Sequence, residues 1–294
     1  YNVEIKSPTS TGTEDFSYSQ AGIAAIVASD VDYENSNYEK NIYHSSMDSK
    51  EYGYNPEVFK MVHELFTNIL LCLDESEVRP LNFTAEITAL EESLNKDIIN
   101  EEHAIYDAVE NAKAAAAALD SKIKSGEIEN TTEFNKKTAD IFRSIRENFV
   151  TLSWESEIIF PTEQCQNNIE ALEAAVEALK NGNGDLAYDE YLYNVDYNWY
   201  AYDFSKEAYN FQISRVINNS AGTWGEGLII NPCENLYDVI SFLGENYGKE
   251  NVDYTEAIDT LEGALERQYE YLDIVLADEK ENLDDLTEKM ISLV

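Results

Sequence analysis

The sequence predicts a chain in two parts, an α/β fragment at the front followed by an all-α helical bundle. Three observations predict this. Strand-like runs occur only near the start, at residues 1–5, which alternate, and at 22–28, a short apolar run of buried-strand type. From about residue 82 onward, apolar residues recur in steps of three and four through long segments. Between the two lies 75–82 with Arg79-Pro80, a natural boundary. The parts are therefore 1–75 and 82–294.

In the first part, residues 15–21 can form one or two helical turns, and 30–50 read as a polar loop rich in Asn, Tyr and Ser. Asn55-Pro56 then starts a helix with Pro at its first position. Val58, Phe59, Val62, Leu65, Phe66, Ile69, Leu70 and Leu73 give that helix a broad apolar face. In the second part, one stripe runs from Ile87 to Ile123 and ends at Gly126. The next runs from Phe134 to Leu152, capped by Thr132, is broken or kinked at Pro161 and resumes from Ile169 to Leu179. A third helix carries Leu192, Val195, Trp199, Tyr202, Tyr209, Ile213 and Val216, followed by a Gly-containing loop over 221–232. A short helix near 236–243 precedes a last helix with near-heptad spacing from Tyr254 to Leu293. These read as an antiparallel bundle of about four long helices.

Charge excludes some partners. Asp and Glu number 58 against 20 Lys and Arg, a formal charge of -38. Phosphate binding needs a basic face, so nucleic acid is not an expected partner. No apolar run is long enough to insert directly into a membrane. The acidic excess fits a solvated, highly soluble surface, as at high salt or on a cell exterior. Cys72, Cys165 and Cys233 are odd in number and far apart, so they make neither a disulfide framework nor a zinc ribbon; one disulfide or three buried thiols both suit them. Three sequons, at Asn82, Asn130 and Asn218, agree with an extracellular or cell-surface protein.

Few residues suggest chemistry. His44 sits on a polar loop beside Tyr43 and before Asp48, and a neutral imidazole with an orienting acceptor such as Asp48 makes a zinc ligand. Glu14 and Asp15 precede a helix start, where an N-cap and a first-turn acid are equally at home. His63 and His103 lie on helices among polar neighbours and read as solvated. The aromatic run from Tyr188 to Phe211 reads as core and interface.

Three segments in order carry a resemblance: Gly12-Thr13-Glu14-Asp15-Phe16, then Ala21-Gly22-Ile23-Ala24-Ala25-Ile26, then Tyr43-His44-Ser45-Ser46-Met47-Asp48-Ser49 before a long helix. Together they resemble the C-terminal part of the peptidase domain in the two-zinc aminopeptidase and glutamate carboxypeptidase family, whose non-catalytic relatives include transferrin receptor. The resemblance implies the end of a mostly parallel-sheet domain followed by a helical, dimerising domain. It implies that His44 is the last zinc ligand, that Tyr43 and Glu14 line the substrate pocket, and that Asp15 and Asp48 support the site from behind. The other ligands and the base Glu would lie upstream, so the catalytic set is not within this chain. Two zinc ions are expected in the intact protein and neither is expected to be held tightly by this chain alone. The carboxypeptidases carry arginines just after the Gly-Ile strand; here the residues are Val27-Ala28-Ser29, which favours an aminopeptidase-like preference.

Two functions follow. One is the C-terminal portion of an exported zinc-dependent exopeptidase that hydrolyses peptides with a two-zinc-activated water. The other is a non-catalytic cell-surface structural or interaction module with an inert peptidase remnant. Both imply self-association or tight binding of a missing N-terminal half, because an incomplete sheet exposes an edge and an apolar face.

Overall fold

The computed structural model describes residues 15–25, 37–152, 158–196, 198–217 and 233–294. Four helices precede the boundary: α1 (Asp15–Gln20), α2 (Asn37–Asn41), α3 (Lys50–Gly53) and α4 (Pro56–Glu75). They are followed by α5 (Thr84–Ser93), α6 (Ala104–Ser125) and α7 (Thr131–Phe149). Strands β1 (Thr151–Leu152) and β2 (Ile158–Ile159) then pair antiparallel over two residues each. Next come α8 (Glu163–Lys180), α9 (Gly184–Leu186), a π-helical turn (Ala187–Tyr191) and a 3-10 turn (Leu192–Asn194). The chain continues through α10 (Tyr200–Asp203), α11 (Lys206–Ile217), α12 (Tyr237–Glu245) and the long α13 (Thr255–Ile291).

Among the described residues the fold is helical apart from the two-residue β1–β2 pair, which corrects the expected α/β fragment. The run at 22–28 begins as a turn: Gly22 has φ 73°, the Ile23 N–H donates to the Tyr18 carbonyl at 3.0 Å, and Ile23 is exposed. A short apolar run does not specify a strand by periodicity alone, and no neighbouring strand claims this one among the described residues. The expected strand at 1–5, residues 26–28 of the 22–28 run, Glu14 and the loop at 221–232 lie outside the described residues.

Three helical boundaries also differ from expectation. The stripe from Ile87 to Ile123 is split into α5 and α6, because Asn95 and Asn100 each accept a backbone N–H two residues on, from Asp97 and Glu102 at 2.9 Å. Such Asx turns compete with helical bonding. Pro161 lies in a break rather than at a kink, one of the two alternatives expected: α7 has ended at Phe149 and α8 begins at Glu163. The expected third helix is interrupted at Asp196, whose φ of 46° ends right-handed winding. Asn130, not Thr132, caps α7, its side chain accepting from the Glu133 N–H at 3.1 Å.

Two apolar clusters form the interior. One joins α5, α6 and α7 with the second half of α13, around Ile105, Leu119, Ile145 and Leu283. The other joins α8, the 187–195 turns, α11, α12 and the first half of α13, around Leu172, Leu192, Tyr209 and Leu261. Helices α8 and α13 run through both. They are antiparallel: Lys180 pairs with Glu262 at 2.6 Å, and the Tyr269 hydroxyl donates to Glu173 at 2.7 Å. At 37 residues α13 is about 55 Å long, so one helix spans the molecule. The bundle is also tied from its start. The buried Asp120 carboxylate on α6 accepts from the Phe83 N–H at 2.8 Å and the Thr84 N–H at 3.0 Å, capping α5 from across the interface.

Candidate functional site

Asn55 and Pro56 set up α4. The Asn55 side chain accepts from the Glu57 and Val58 N–H groups at 3.0 and 3.3 Å, and Pro56 occupies the first turn, where its missing N–H costs nothing. The helix that follows is strongly amphipathic. Val58, Val62, Leu65, Phe66, Ile69 and Leu73 recur in steps of three and four and so share one face. Yet no residue of α4 is buried, and neither apolar cluster contains one. Phe59, Leu70, Leu71 and Leu73 are 52%, 64%, 53% and 49% exposed. Among the described elements none packs along α4. Its C-terminal end leads into a fixed point: Asn135 on α7 donates to the Glu77 carbonyl at 2.7 Å and accepts from the Arg79 N–H at 3.0 Å. The bundle grips the chain just after α4, while along α4 the stripe residues Val58, Val62, Leu65, Phe66 and Ile69 are half-buried and Phe59, Leu70, Leu71 and Leu73 are exposed.

The residues singled out for zinc chemistry do not come together as a metal-binding group. Asp15 opens α1 and is buried, with α1 lying on α7; one of its carboxylate oxygens has no hydrogen-bond partner. Tyr43, His44 and Asp48 lie on an exposed turn between α2 and α3. His44 adopts φ 56°, a left-handed conformation that a turn requires, and its ring stacks on Tyr43 at 3.9 Å. Asp48 accepts from the Tyr38 hydroxyl at 2.7 Å rather than orienting His44. Among the described residues, no three His, Cys, Asp or Glu are placed to hold a metal ion. His103 caps α6, its Nδ1 accepting from the Ile105 N–H at 3.2 Å. Cys72 is exposed, Cys165 buried and Cys233 half-buried.

The densest polar constellation is one that sequence reasoning missed. It sits where the two apolar clusters meet. Asn168 on α8 donates to Asp196 at 2.7 Å and to the Gln268 side-chain oxygen at 3.1 Å. Asp196 accepts at its other oxygen from the Glu234 N–H at 2.8 Å. Glu234 accepts from Gln268 at 3.0 Å and from Arg267 at 2.6 Å. Asn198 accepts from the Tyr209 hydroxyl and the Leu236 N–H at 2.8 and 2.9 Å, and donates to the Val195 and Glu234 carbonyls. Asp196, Asn198, Asn168, Gln268 and Glu234 are all buried. Burial pushes the Asp196 carboxyl up to about 7, a rise that bonds from the Glu234 N–H and Asn168 oppose and the Glu234 charge reinforces. Burial likewise pushes the Tyr209 phenol up. The network fastens the irregular stretches around Asp196, Asn198 and residues 233–236 onto α8 and α13. The readable signal was Gln268, a polar residue on the apolar stripe of Leu261, Leu265 and Leu272.

The aromatic run is also structural. Tyr188, Tyr202, Tyr193 and Tyr247 pack ring to ring with centroids 4.6 to 5.8 Å apart. The Tyr202 hydroxyl donates to the Tyr188 carbonyl at 2.6 Å and the Tyr247 hydroxyl to Asp189 at 2.7 Å. A shallow groove of about 620 Å³ between α6 and the end of α13 is lined by Ala114, Ala118, Thr287 and Ile291 and carries no cluster of reactive groups among the described residues. No helix is long and apolar enough to cross a membrane among the described residues. No protein-family model matches the chain, and no curated protein or solved structure matches it either.

Proposed function

We propose that this chain is an interaction module: a self-supporting helical bundle that presents α4 as a docking helix. One observation carries the reading. A 20-residue helix with a broad apolar face has no fully buried residue, belongs to neither apolar cluster among the described residues, and leaves Phe59, Leu70, Leu71 and Leu73 exposed. Exposed apolar area on that scale is costly in water and is characteristic of surfaces that meet a partner. The docking mode would be helix against helix or helix in groove, read through anchors at three- and four-residue spacing.

The reading separates α4 from the bundle, and that separation is measurable. The double variant Leu65→Ser, Ile69→Ser removes the centre of the apolar face. The expected result is a melting temperature within about 2 °C of the parent, because neither residue belongs to either apolar cluster. Binding of the neutral apolar dye Nile red falls at the same time. A drop in melting temperature of about 5 °C or more would show that α4 belongs to the core and would remove the proposal.

A further inference from the structure

We infer that the corner where β2 turns into α8, residues 159–163, is a lid worked by a proton on Glu279. The lid is shut while Glu279 is neutral and lifts when Glu279 ionises. Glu279 shares a face of α13 with Leu276 and Leu283, both buried in the first apolar cluster, and is itself 1% exposed. Neither of its oxygens has a hydrogen-bond partner, nor has the buried Thr162 hydroxyl beside it. Thr162 stands at the N-cap position of α8 without making a cap bond. An ionised carboxylate only accepts, at about four lone-pair sites, whereas a neutral carboxyl can donate its proton to the Thr162 oxygen.

Cations do not compensate a charge at this place. The charge that bears on Glu279 from α8 is Glu163, another acid, and the lysine of α8, Lys180, pairs with Glu262 at the far end. Along α13 the flanking groups are Asp278 and Lys280, and Lys280 pairs with Asp284 at 2.7 Å. The end of α7 carries Arg146, turned to Glu86, and the exposed Glu147. Helix α6 runs parallel to α13, with Lys122 at the Val294 carbonyl, which brings His103, Tyr106 and Asp107 to the level of Glu279. His103 caps α6, Tyr106 donates to the Ile99 carbonyl, and Asp107 is exposed. Ionised in place, Glu279 would be a buried charge without a counter-charge, the costliest kind of buried group. Burial accordingly pushes its carboxyl from 4.5 to about 8.

The corner is the part of these surroundings best able to give. Strands β1 and β2 share only two residue pairs. The corner is closed by its own bonds, from the Glu163 N–H to the Phe160 carbonyl at 3.1 Å and from the Phe160 N–H to the Glu163 carboxylate at 2.6 Å. Those bonds travel with it, so it lifts as a unit. Lifting wets Glu279 and opens the end of the first cluster at Phe160 and Cys165. Opening releases one proton. The shut state is therefore fully favoured below about 4.5, loses about tenfold per pH unit above that, and loses no more beyond about 8.

Hydrogen exchange of the full chain from pH 5 to pH 9, expressed as protection relative to the intrinsic rate at each pH, tests the lid. Amides of 159–168 are expected to be less protected than those of α6 and of 172–180 at every pH. Their protection falls about tenfold per pH unit and levels off near pH 8. In Glu279→Gln it no longer depends on pH. In Glu163→Gln the levelling-off moves to lower pH, because Glu279 then ionises without a neighbouring negative charge; this variant carries the test should Glu279→Gln fail to fold. Protection of 159–168 equal to that of α6 throughout would mean that only the whole fold opens, and would remove the lid. Lower protection with no pH dependence in the parent would uncouple the corner from any proton. A pH dependence that survives in Glu279→Gln, or a levelling-off unmoved in Glu163→Gln, would take the proton away from Glu279.

Discussion

Single residues in this bundle carry charge at a cost. Arg146 is almost fully buried, its Nη1 lies 3.8 Å from Glu86, and its Nε and Nη2 have no partner. Burial pulls the guanidinium's affinity for its proton down and the Glu86 charge opposes that pull. A buried ion pair with incomplete hydrogen bonding is weaker than an apolar replacement of similar volume. Arg146→Met is therefore expected to stabilise the chain by about 1 kcal/mol or more. Glu86→Gln, which strands the guanidinium, is expected to destabilise it; chemical denaturation of both variants checks the pair, and a destabilised Arg146→Met would contradict it. Glu279 on α13 is a second case. It is buried without a hydrogen-bond partner on either oxygen, and desolvation pushes its carboxyl up to about 8 despite the nearby Thr162 hydroxyl; Glu163 adds to the rise. The folded state then holds a proton that the unfolded chain releases near its ordinary 4.5. Stability from this group is fully present below about 4.5 and is lost as pH rises toward 8, by a few kcal/mol at most. Asp196 adds a fall in the same direction between 3.8 and about 7. Glu279→Gln should flatten the slope, so its advantage over the parent grows from pH 5 to pH 8. An advantage independent of pH would show that Glu279 is ionised throughout.

At the scale of elements, local signals set what the sequence reveals. The start of α4 was legible because Asn55-Pro56 is a cap followed by a first-turn proline, and both act as such. The end of α6 was legible because Gly126 takes the left-handed φ of 66°. The division of α5 from α6 was not, because Asn95 and Asn100 interrupt the helix through side-chain bonds while the apolar stripe continues across them. The segment after α8 was misread for a related reason. Its apolar spacing suits a helix, but Asp196 is held left-handed by Asn168 and the Glu234 N–H, partners distant in sequence. At the front of the chain, Tyr43 and His44 stack on each other and Asp48 accepts from the Tyr38 hydroxyl. What the sequence displayed plainly was the apolar face of α4; that this face joins neither apolar cluster among the described residues is a property of the three-dimensional arrangement alone.

The whole molecule is an acidic bundle with one apolar helix outside its cores. A formal charge of -38 on 294 residues stores repulsion in the compact state. Screening relieves it, so the melting temperature should rise between low and molar sodium chloride. A flat response would contradict the idea that repulsion limits stability. The same arrangement gives two tiers of order. Amides of α6, α8 and α13 open only when the packed clusters open, whereas α4 is held by its own hydrogen bonds and its cap. An isolated helix of that length is marginal in water. Hydrogen exchange of the intact chain, resolved by peptide, tests this most directly. The prediction is that α4 amides between Lys60 and Leu73 exchange within about 100-fold of the unstructured rate while those of α6 and α13 are protected by orders of magnitude more. Protection of α4 equal to that of α13 would place it inside the cooperative fold and contradict a docking helix held ready on the surface.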